Sequence, residues 1–361
     1  MVKKDAGKAQ SKFLYNVDHK VDNTAMKPLW QPSASIDTLH KRAVILQKIR
    51  SFFAARDVLE VETPSLSAHT VTDPYLEAMH TLHTQPGMVN ANCLYLQTSP
   101  EYAMKRLLAA GSGDIFQLCK AFRNDEVGRM HNPEFTVLEW YRVGYCMQQL
   151  IDEVAMLLLL ILPIEQVDQV SYCNLFVKYL KINPLEIELS ALITLCTALG
   201  LRDYVSSLQG NLVLNQSVHT KTLLKDSILQ VLFSAHIEPN IGKERPIVVS
   251  YFPASQASLA TLCDDGKTAN RFEVFYKGIE LANGFDELTD AQSQLTRFEQ
   301  DNQKRIALGL STVPIDTHFI ASLKSGLPQC AGVALGVDRL IMLALQKDNI
   351  EQVTSFGHRN C

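Results

Sequence analysis

Two stretches far apart in the chain constrain its fold more than anything else in it. Residues 122–142 read Phe-Arg-Asn-Asp-Glu-Val-Gly-Arg-Met-His-Asn-Pro-Glu-Phe-Thr-Val-Leu-Glu-Trp-Tyr-Arg. This is a strand ending at an arginine, a polar loop, and a second strand bearing Glu139 and Tyr141. Much later, Gly332-Val-Ala-Leu-Gly-Val-Asp-Arg-Leu-Ile-Met-Leu reads as a glycine-rich turn running into a helix, with Arg339 near its start.

Together the two stretches resemble motifs 2 and 3 of the class II aminoacyl-tRNA synthetases, in the lysine-type branch. Such enzymes bring a carboxylate to the α-phosphate of ATP, where cationic donors must neutralise charge as the bond forms. Arg123 suits that task, because its planar fork makes two charge-assisted hydrogen bonds and never deprotonates. The loop after it holds Arg129, His131 and Asn132. Alternation along the next strand places Phe135, Val137, Glu139 and Tyr141 on one face, where a carboxylate and a phenol beside apolar groups can hold an ammonium. Taken singly, each charged residue reads better as a surface ion pair. Gly332-x-Ala-x-Gly-x-Asp-Arg by itself reads as a structural turn. The ordered strings together favour the functional reading, with the glycines admitting a nucleotide and Arg339 at a helix start favouring anions.

A third constellation is Lys277-Gly-Ile-Glu-Leu-Ala-Asn-Gly-Phe-Asp-Glu287. Glu280, Asn283 and Glu287 are hard oxygen ligands, suited either to Mg²⁺ bridging ATP phosphates or to a cationic substrate. The competing reading is an exposed acidic loop with Asn283-Gly284 as its turn. His69, His80, His83 and His236 show no metal spacing, and Ser255-Gln-Ala-Ser lacks the glycines of a nucleophile elbow.

Composition bounds the rest. The chain has 361 residues, 47% hydrophobic and 20% charged, with a net charge of −4. That describes a soluble globular protein without an overall basic field for nucleic acid. Eight cysteines occur with no Cys-x-x-Cys pair, which fits reduced thiols in a cytoplasmic protein and argues against zinc. The apolar run Val154–Ile164 is far shorter than the ~20 residues of a membrane span and reads as a buried helix.

Residues 1–30 are polar and aperiodic and read as a flexible tail, with Met26 a candidate natural start. From Ser35 onward Ile36, Leu39, Ala43, Leu46, Ile49 and Phe53 form an apolar helical stripe. Val58-Leu-Glu-Val-Glu-Thr-Pro follows as a strand. This unit resembles the dimer-forming motif 1, with Asp57 standing where the family has glycine, a residue type that tolerates left-handed backbone. Ser99 as N-cap, Pro100 at the first position and Gly111 as the stop frame a further helix. Asp114–Arg123 and Arg271–Asn283 read as strands, and Leu335–Gln346 as the last major helix. Residues 146–250 mix helical stretches and loops.

The resemblance spans about residues 31–355 and implies an α+β fold, so 31–361 is expected to be one class II synthetase-like catalytic domain: an antiparallel sheet flanked by helices, in a homodimer. The anticodon-binding OB domain of lysyl-tRNA synthetases is not expected, since the residues before the core are too few. More closely still, the chain resembles the freestanding bacterial paralogues of that core that attach (R)-β-lysine to elongation factor P. Trp30-Gln-Pro-Ser-Ala-Ser, Thr98-Ser-Pro-Glu-Tyr, His131-Asn-Pro-Glu-Phe-Thr, Tyr276-Lys-Gly-Ile-Glu-Leu-Ala-Asn-Gly-Phe and the Gly332 segment carry the match. Ala334 is the discriminating residue, because lysyl-tRNA synthetases have glycine there. Asp125 stands in place of a more usual glutamate.

That resemblance implies an AMP-forming ligase using ATP and Mg²⁺, with (R)-β-lysine and elongation factor P as substrates and with neither tRNA nor a membrane as partner. By position, Ser99, Pro100, Glu101, Glu139, Tyr141, Asn283 and Glu287 would line the amino-acid pocket. Arg123, Asn124, Asp125, His131, Asn132, Glu280, Leu281, Gly336 and Arg339 would surround ATP. Arg123 falls to the α-phosphate and Arg339 to the distal phosphates as the catalytic pair. Glu280 and Glu287 are the candidate Mg²⁺ ligands. Two other readings stand beside this one: a minimal lysyl-tRNA synthetase, and a non-catalytic regulator on a synthetase core.

Overall fold

In the computed structural model, residues 30–84, 92–124, 127–211, 218–358 and 360–361 are described. The tail up to residue 29, with Met26, and the expected ATP residue Asp125 lie outside them.

Helix α1 (Ile36–Ala54) begins where Ser35 Oγ accepts a hydrogen bond from the Thr38 amide at 3.1 Å, satisfying one of the amide donors orphaned at a helix start. Its buried face is Thr38, Ile45, Ile49, Phe52 and Phe53. The expected stripe is rotated, since Ile36 and Ala43 lie exposed. After α1 the chain reverses at Asp57, whose φ is 54°, the left-handed turn that an aspartate accommodates.

The strands are β1 (Leu59–Glu60), β2 (Leu66–Ser67), β3 (His80–His83), β4 (Asn92–Leu96), β5 (Ile115–Phe122), β6 (Glu134–Val143), β7 (Asp168–Ser171), β8 (Ile247–Pro253), β9 (Thr268–Tyr276), β10 (Ile279–Asp286) and β11 (Cys330–Gly336). Eight form one sheet in the order β1-β5-β6-β11-β10-β9-β8-β7, and β2-β4-β3 form a small second sheet. The large sheet is antiparallel as expected except at its margins, where β1 pairs with β5 and β7 with β8 in parallel.

Three expectations change here. The strand expected over Arg271–Asn283 is a hairpin, reversed at Lys277 and Gly278 with φ of 52° and 70°. Two consecutive positive φ values give the turn whose twist matches paired strands. The segment Gly332–Gly336 is no turn: it lies in β11, a central strand, and helix α10 (Val337–Ala344) starts only after it. Nor is Asn283-Gly284 a turn, since both residues sit inside β10.

Register gives the large sheet one apolar and one polar face. Leu118, Leu138, Leu335, Ala282, Val274 and Val248 line up across six strands. They pack with Trp140, Phe272 and Val333 against α1, α3 (Met147–Ile161) and α10. Truncating a buried aromatic such as Trp140 in a core of this kind costs about 3–5 kcal/mol. Helix α3 only partly meets its expectation: Val154, Leu157 and Leu158 are buried, while Met156, Leu159 and Leu160 are exposed.

The opposite face is covered by α2 (Glu101–Ala109), α8 (Ala291–Ala307) and α9 (Thr317–Gly326), through Met104, Leu108, Phe298 and Phe319 against Ile115 and Tyr141. Helix α2 starts one residue later than expected. Pro100 occupies the cap position, and Ser99 Oγ accepts from the Glu101 amide at 3.3 Å. Gly111, φ 89°, ends the segment as expected. Beyond α3, helices α4 (Tyr172–Leu180), α5 (Leu189–Ala198), α6 (Arg202–Asn211) and α7 (Val218–Leu232) build a second core over β8 and β9 around Phe176, Leu192 and Ile228. No helix among the described residues is long and apolar enough to cross a membrane, and the eight cysteines carry no disulfide.

Candidate active site

One register row on the polar face sets the site. Gln117, Glu139, Ala334, Asn283 and Glu273 lie directly opposite one another on β5, β6, β11, β10 and β9. Directly paired residues point to the same face, so Ala334 presents only a methyl between a carboxylate and a carboxamide. Strands lie ~4.8 Å apart, which leaves an opening about two strand spacings wide over that methyl. Glu139 Oε2 and Asn283 Oδ1 are buried acceptors without a hydrogen-bond partner among the described residues. Unsatisfied buried acceptors are costly, and a ligand ammonium would satisfy both.

The next row is Ile115, Tyr141, Gly332, Phe285 and Arg271. Tyr141 Oη donates to Glu139 Oε1 at 2.6 Å. A Cβ at Gly332 would collide with the Tyr141 ring and with Glu287 Oε1. This glycine therefore serves close side-chain packing rather than a turn. Glu287 follows β10, and Lys105 Nζ from α2 sits 2.5 Å from its Oε2 and 2.6 Å from Glu101 Oε1.

Three carboxylates thus share a largely buried space with one lysine. Burial pushes the Glu139 carboxyl up to about 8, with Glu101 adding to the effect. Burial likewise lifts Glu287 to about 8, opposed by Lys105. Burial works against charge on Lys105, but Glu101 and Glu287 outweigh it and hold it a cation. An empty pocket of this kind disfavours its own ionisation, and a bound cation removes the penalty.

The other expected residues gather at the end of the sheet where β5 and β11 finish and β6 and β10 begin. Arg339, in the first turn of α10, donates to the Glu280 carbonyl at 2.9 Å, to the Met130 carbonyl at 3.3 Å, and to His131 Nε2. Arg123 follows β5 with its guanidinium 5.1 Å above the Phe135 ring. Asn132 Oδ1 accepts from the His358 amide, and the Ile350 amide donates to the Arg129 carbonyl, so the C-terminal segment braces this loop. Asn124 is exposed. An added Cβ at Gly336 would meet only the Arg339 side chain, at an ordinary 3.5 Å. Leu281 buries its side chain in the apolar core, which leaves only its backbone facing the site.

Glu280 and Glu287 are not brought together. They lie seven residues apart, near the start of β10 and just past its end, or roughly 23 Å at strand rise, and no single Mg²⁺ ion, with ligands at about 2.1 Å, takes both. Glu280 keeps company with Glu273 and Glu238 instead. Burial, with Glu280 adding, lifts Glu273 to about 7, and the same two causes lift Glu238 to about 7. The sequence reading missed Lys105 and Glu273. Lys105 was signalled by its i,i+4 spacing from Glu101, whereas Glu273 needed the hairpin register. Also missed was the buried Asp338, which accepts from the Thr136 amide at 2.7 Å and pairs with Arg42 at 2.6 Å, fastening α10 to β6 and α1.

Comparison with known proteins agrees with this architecture. Residues 28–360 match the family model of tRNA synthetases class II (D, K and N). Proteins named elongation factor P–(R)-β-lysine ligase, from Pectobacterium atrosepticum and Pseudoalteromonas translucida, are each 52% identical over 329 residues. One of the same name from Edwardsiella ictaluri is 51% identical over 329 residues. In all three the alignment covers 91% of this chain and 97% of the relative. The chain therefore belongs to the class II tRNA synthetases (D, K and N), within the family of the elongation factor P–(R)-β-lysine ligases.

Proposed function

We propose that this chain activates (R)-β-lysine with ATP and transfers it to a lysine ε-amine of elongation factor P. The observation that carries the reading is the Glu139–Ala334–Asn283 row, with Glu139 buried and the other two half-buried, beside Glu101 and Glu287, an anionic pocket built for amino groups. The names borne by relatives at 51–52% identity support the choice of substrate and acceptor.

In the first step a substrate carboxylate oxygen bonds to the α-phosphorus of ATP, the bond to the β-phosphate oxygen breaks, and pyrophosphate leaves. In the second, the acceptor amine attacks the adenylate carbonyl, loses a proton, forms an amide and releases AMP. No enzyme nucleophile is required, so the chain acts through placement and charge. Arg123 stabilises the α-phosphate and Arg339 the distal phosphates, the latter held in line by its three acceptors. Glu139, Tyr141, Asn283 and Glu287 fix the amino groups, with Ser99, Pro100 and Glu101 forming the adjoining wall. Glu273, whose charging cost Glu280 raises, and Glu280 itself fit a Mg²⁺ ion, which supplies charge neutralisation on the phosphates when bound.

Incubation with ATP and either (R)-β-lysine or α-lysine, in the presence of elongation factor P or tRNA, tests this by mass spectrometry of each acceptor. A β-lysyl mass gain on elongation factor P alone is expected. Lysine on tRNA instead makes the chain a minimal synthetase, and transfer to neither makes it a regulator.

Two expectations follow from the pocket. Ala334→Gly removes the methyl between Glu139 and Asn283 and should raise kcat/KM for α-lysine by about tenfold, the scale of one methyl in a shaped pocket. An unchanged ratio of α- to β-lysine use shows that Ala334 is not the selector. The second concerns pH. Glu139 and Glu287 are raised above the free glutamate value, so their contribution to stability is full below ~4.3 and is lost as pH rises through about 8. A bound ammonium favours the ionised forms. The melting-temperature gain from β-lysine should therefore grow from about pH 6 to about pH 8, and a gain that is flat across this window refutes the assignment.

Homodimerisation is part of the same proposal. Val44, Met156, Leu159 and Leu160 leave an exposed apolar groove between α1 and α3, of the kind a partner surface covers. A single-chain mass in equilibrium sedimentation removes this part.

A further inference from the structure

Resting on that reading of the pocket, we infer that Lys105 is a positioning residue: the built-in counter-cation that sets the pocket's charge to match a substrate carrying two ammonium groups. Its ammonium, with no exposed surface, bridges Glu101 Oε1 at 2.6 Å and Glu287 Oε2 at 2.5 Å. When a bound dication ionises all three carboxylates, Glu101, Glu139 and Glu287, this one cation leaves two negative charges to meet it.

The bridge also aims Glu287. With Oε2 held by Lys105, Oε1 lies over Gly332 against the ring of Tyr141, whose hydroxyl donates to Glu139. Lys105 itself has no route to the substrate: it is walled by Glu101, Glu287 and, at 5.9 Å, the face of the Phe319 ring. It acts through the carboxylates. Without it, Glu287 loses the cation that opposes its burial and holds its proton more tightly. A substrate ammonium then has to displace that proton.

Lys105→Met, nearly isosteric and uncharged, is the direct test. In ATP–pyrophosphate exchange, KM for (R)-β-lysine at neutral pH should rise at least about tenfold. Its fall with rising pH should move at least about one pH unit upward, the shift equivalent to that factor, with KM for ATP unchanged. A β-lysine KM and pH profile matching wild type overturn the proposal. So does a parallel loss in both KM values with an unmoved profile, which is the mark of a packing role. The double variant Lys105→Met with Glu101→Gln removes one cation and one anion and should return the pH profile toward wild type. If the single variant fails to fold, a folded double variant supports the counter-charge role, and failure of both overturns it. Wild-type enzyme without β-lysine-dependent exchange refutes the substrate reading itself, a result distinct from any of these.

Discussion

Arg123→Ala should abolish adenylate formation while leaving the protein folded. Exchange of pyrophosphate into ATP is expected to fall by about 10³-fold, or ~4 kcal/mol of transition-state stabilisation, the scale for removing a preorganised charged donor from a reacting centre. The prediction separates chemistry from stability because of where Arg123 sits. It follows the end of β5, half-buried, with its guanidinium above Phe135, outside the apolar clusters that hold the sheet to its helices. Circular dichroism should therefore show the fold retained. Arg123→Lys keeps the charge but loses the planar fork, so it should recover little of the rate. Retained exchange in Arg123→Ala refutes the α-phosphate assignment.

Gly332→Ala should close the amino-acid pocket from its floor. The added methyl meets the Tyr141 ring on one side and Glu287 Oε1 on the other. Neither neighbour is free to give way. Tyr141 is almost wholly buried and donates to Glu139 at 2.6 Å, and Glu287 is gripped by Lys105. Overpacking of this sort costs ~1–3 kcal/mol of stability. Displacing two substrate-facing groups at once should lower kcat/KM for β-lysine at least about 10²-fold. Alanine is present and tolerated two residues along the same strand, at Ala334, where only the open row lies above it. Wild-type KM for β-lysine in Gly332→Ala refutes the packing role given to this glycine.

These cases show which parts of the site were legible in the sequence. Arg123, Glu139, Tyr141 and Arg339 stand out because their strings combine residue types that anion and ammonium chemistry requires, and the structure places the two sets along one polar face. Local grammar also held: Ser35 caps α1, Gly111 ends the segment after α2, and Asp57 takes left-handed backbone. Periodicity fared worse where neighbours decide. The α1 stripe rotated and half of α3 faces outward, because burial depends on which surface arrives to cover a helix. The glycine-rich segment was mistaken for a turn because glycine signals both reversal and close approach. Only the positions of Tyr141 and Glu287 distinguish the two.

By itself the sequence determined most of the helices and strands, the strings proposed for the site and the family, since these rest on short-range backbone preferences and on the chemistry of residues a few positions apart. Tertiary structure alone decided which residues meet. Strand register placed Ala334 between Glu139 and Asn283, set Glu273 rather than Glu287 beside Glu280, and packed α2 so that Lys105 reaches Glu287. Register is fixed by burying one apolar face across six strands at once, and a slip of one residue would turn every side chain over. That condition belongs to the whole sheet, and no local stretch of sequence contains it.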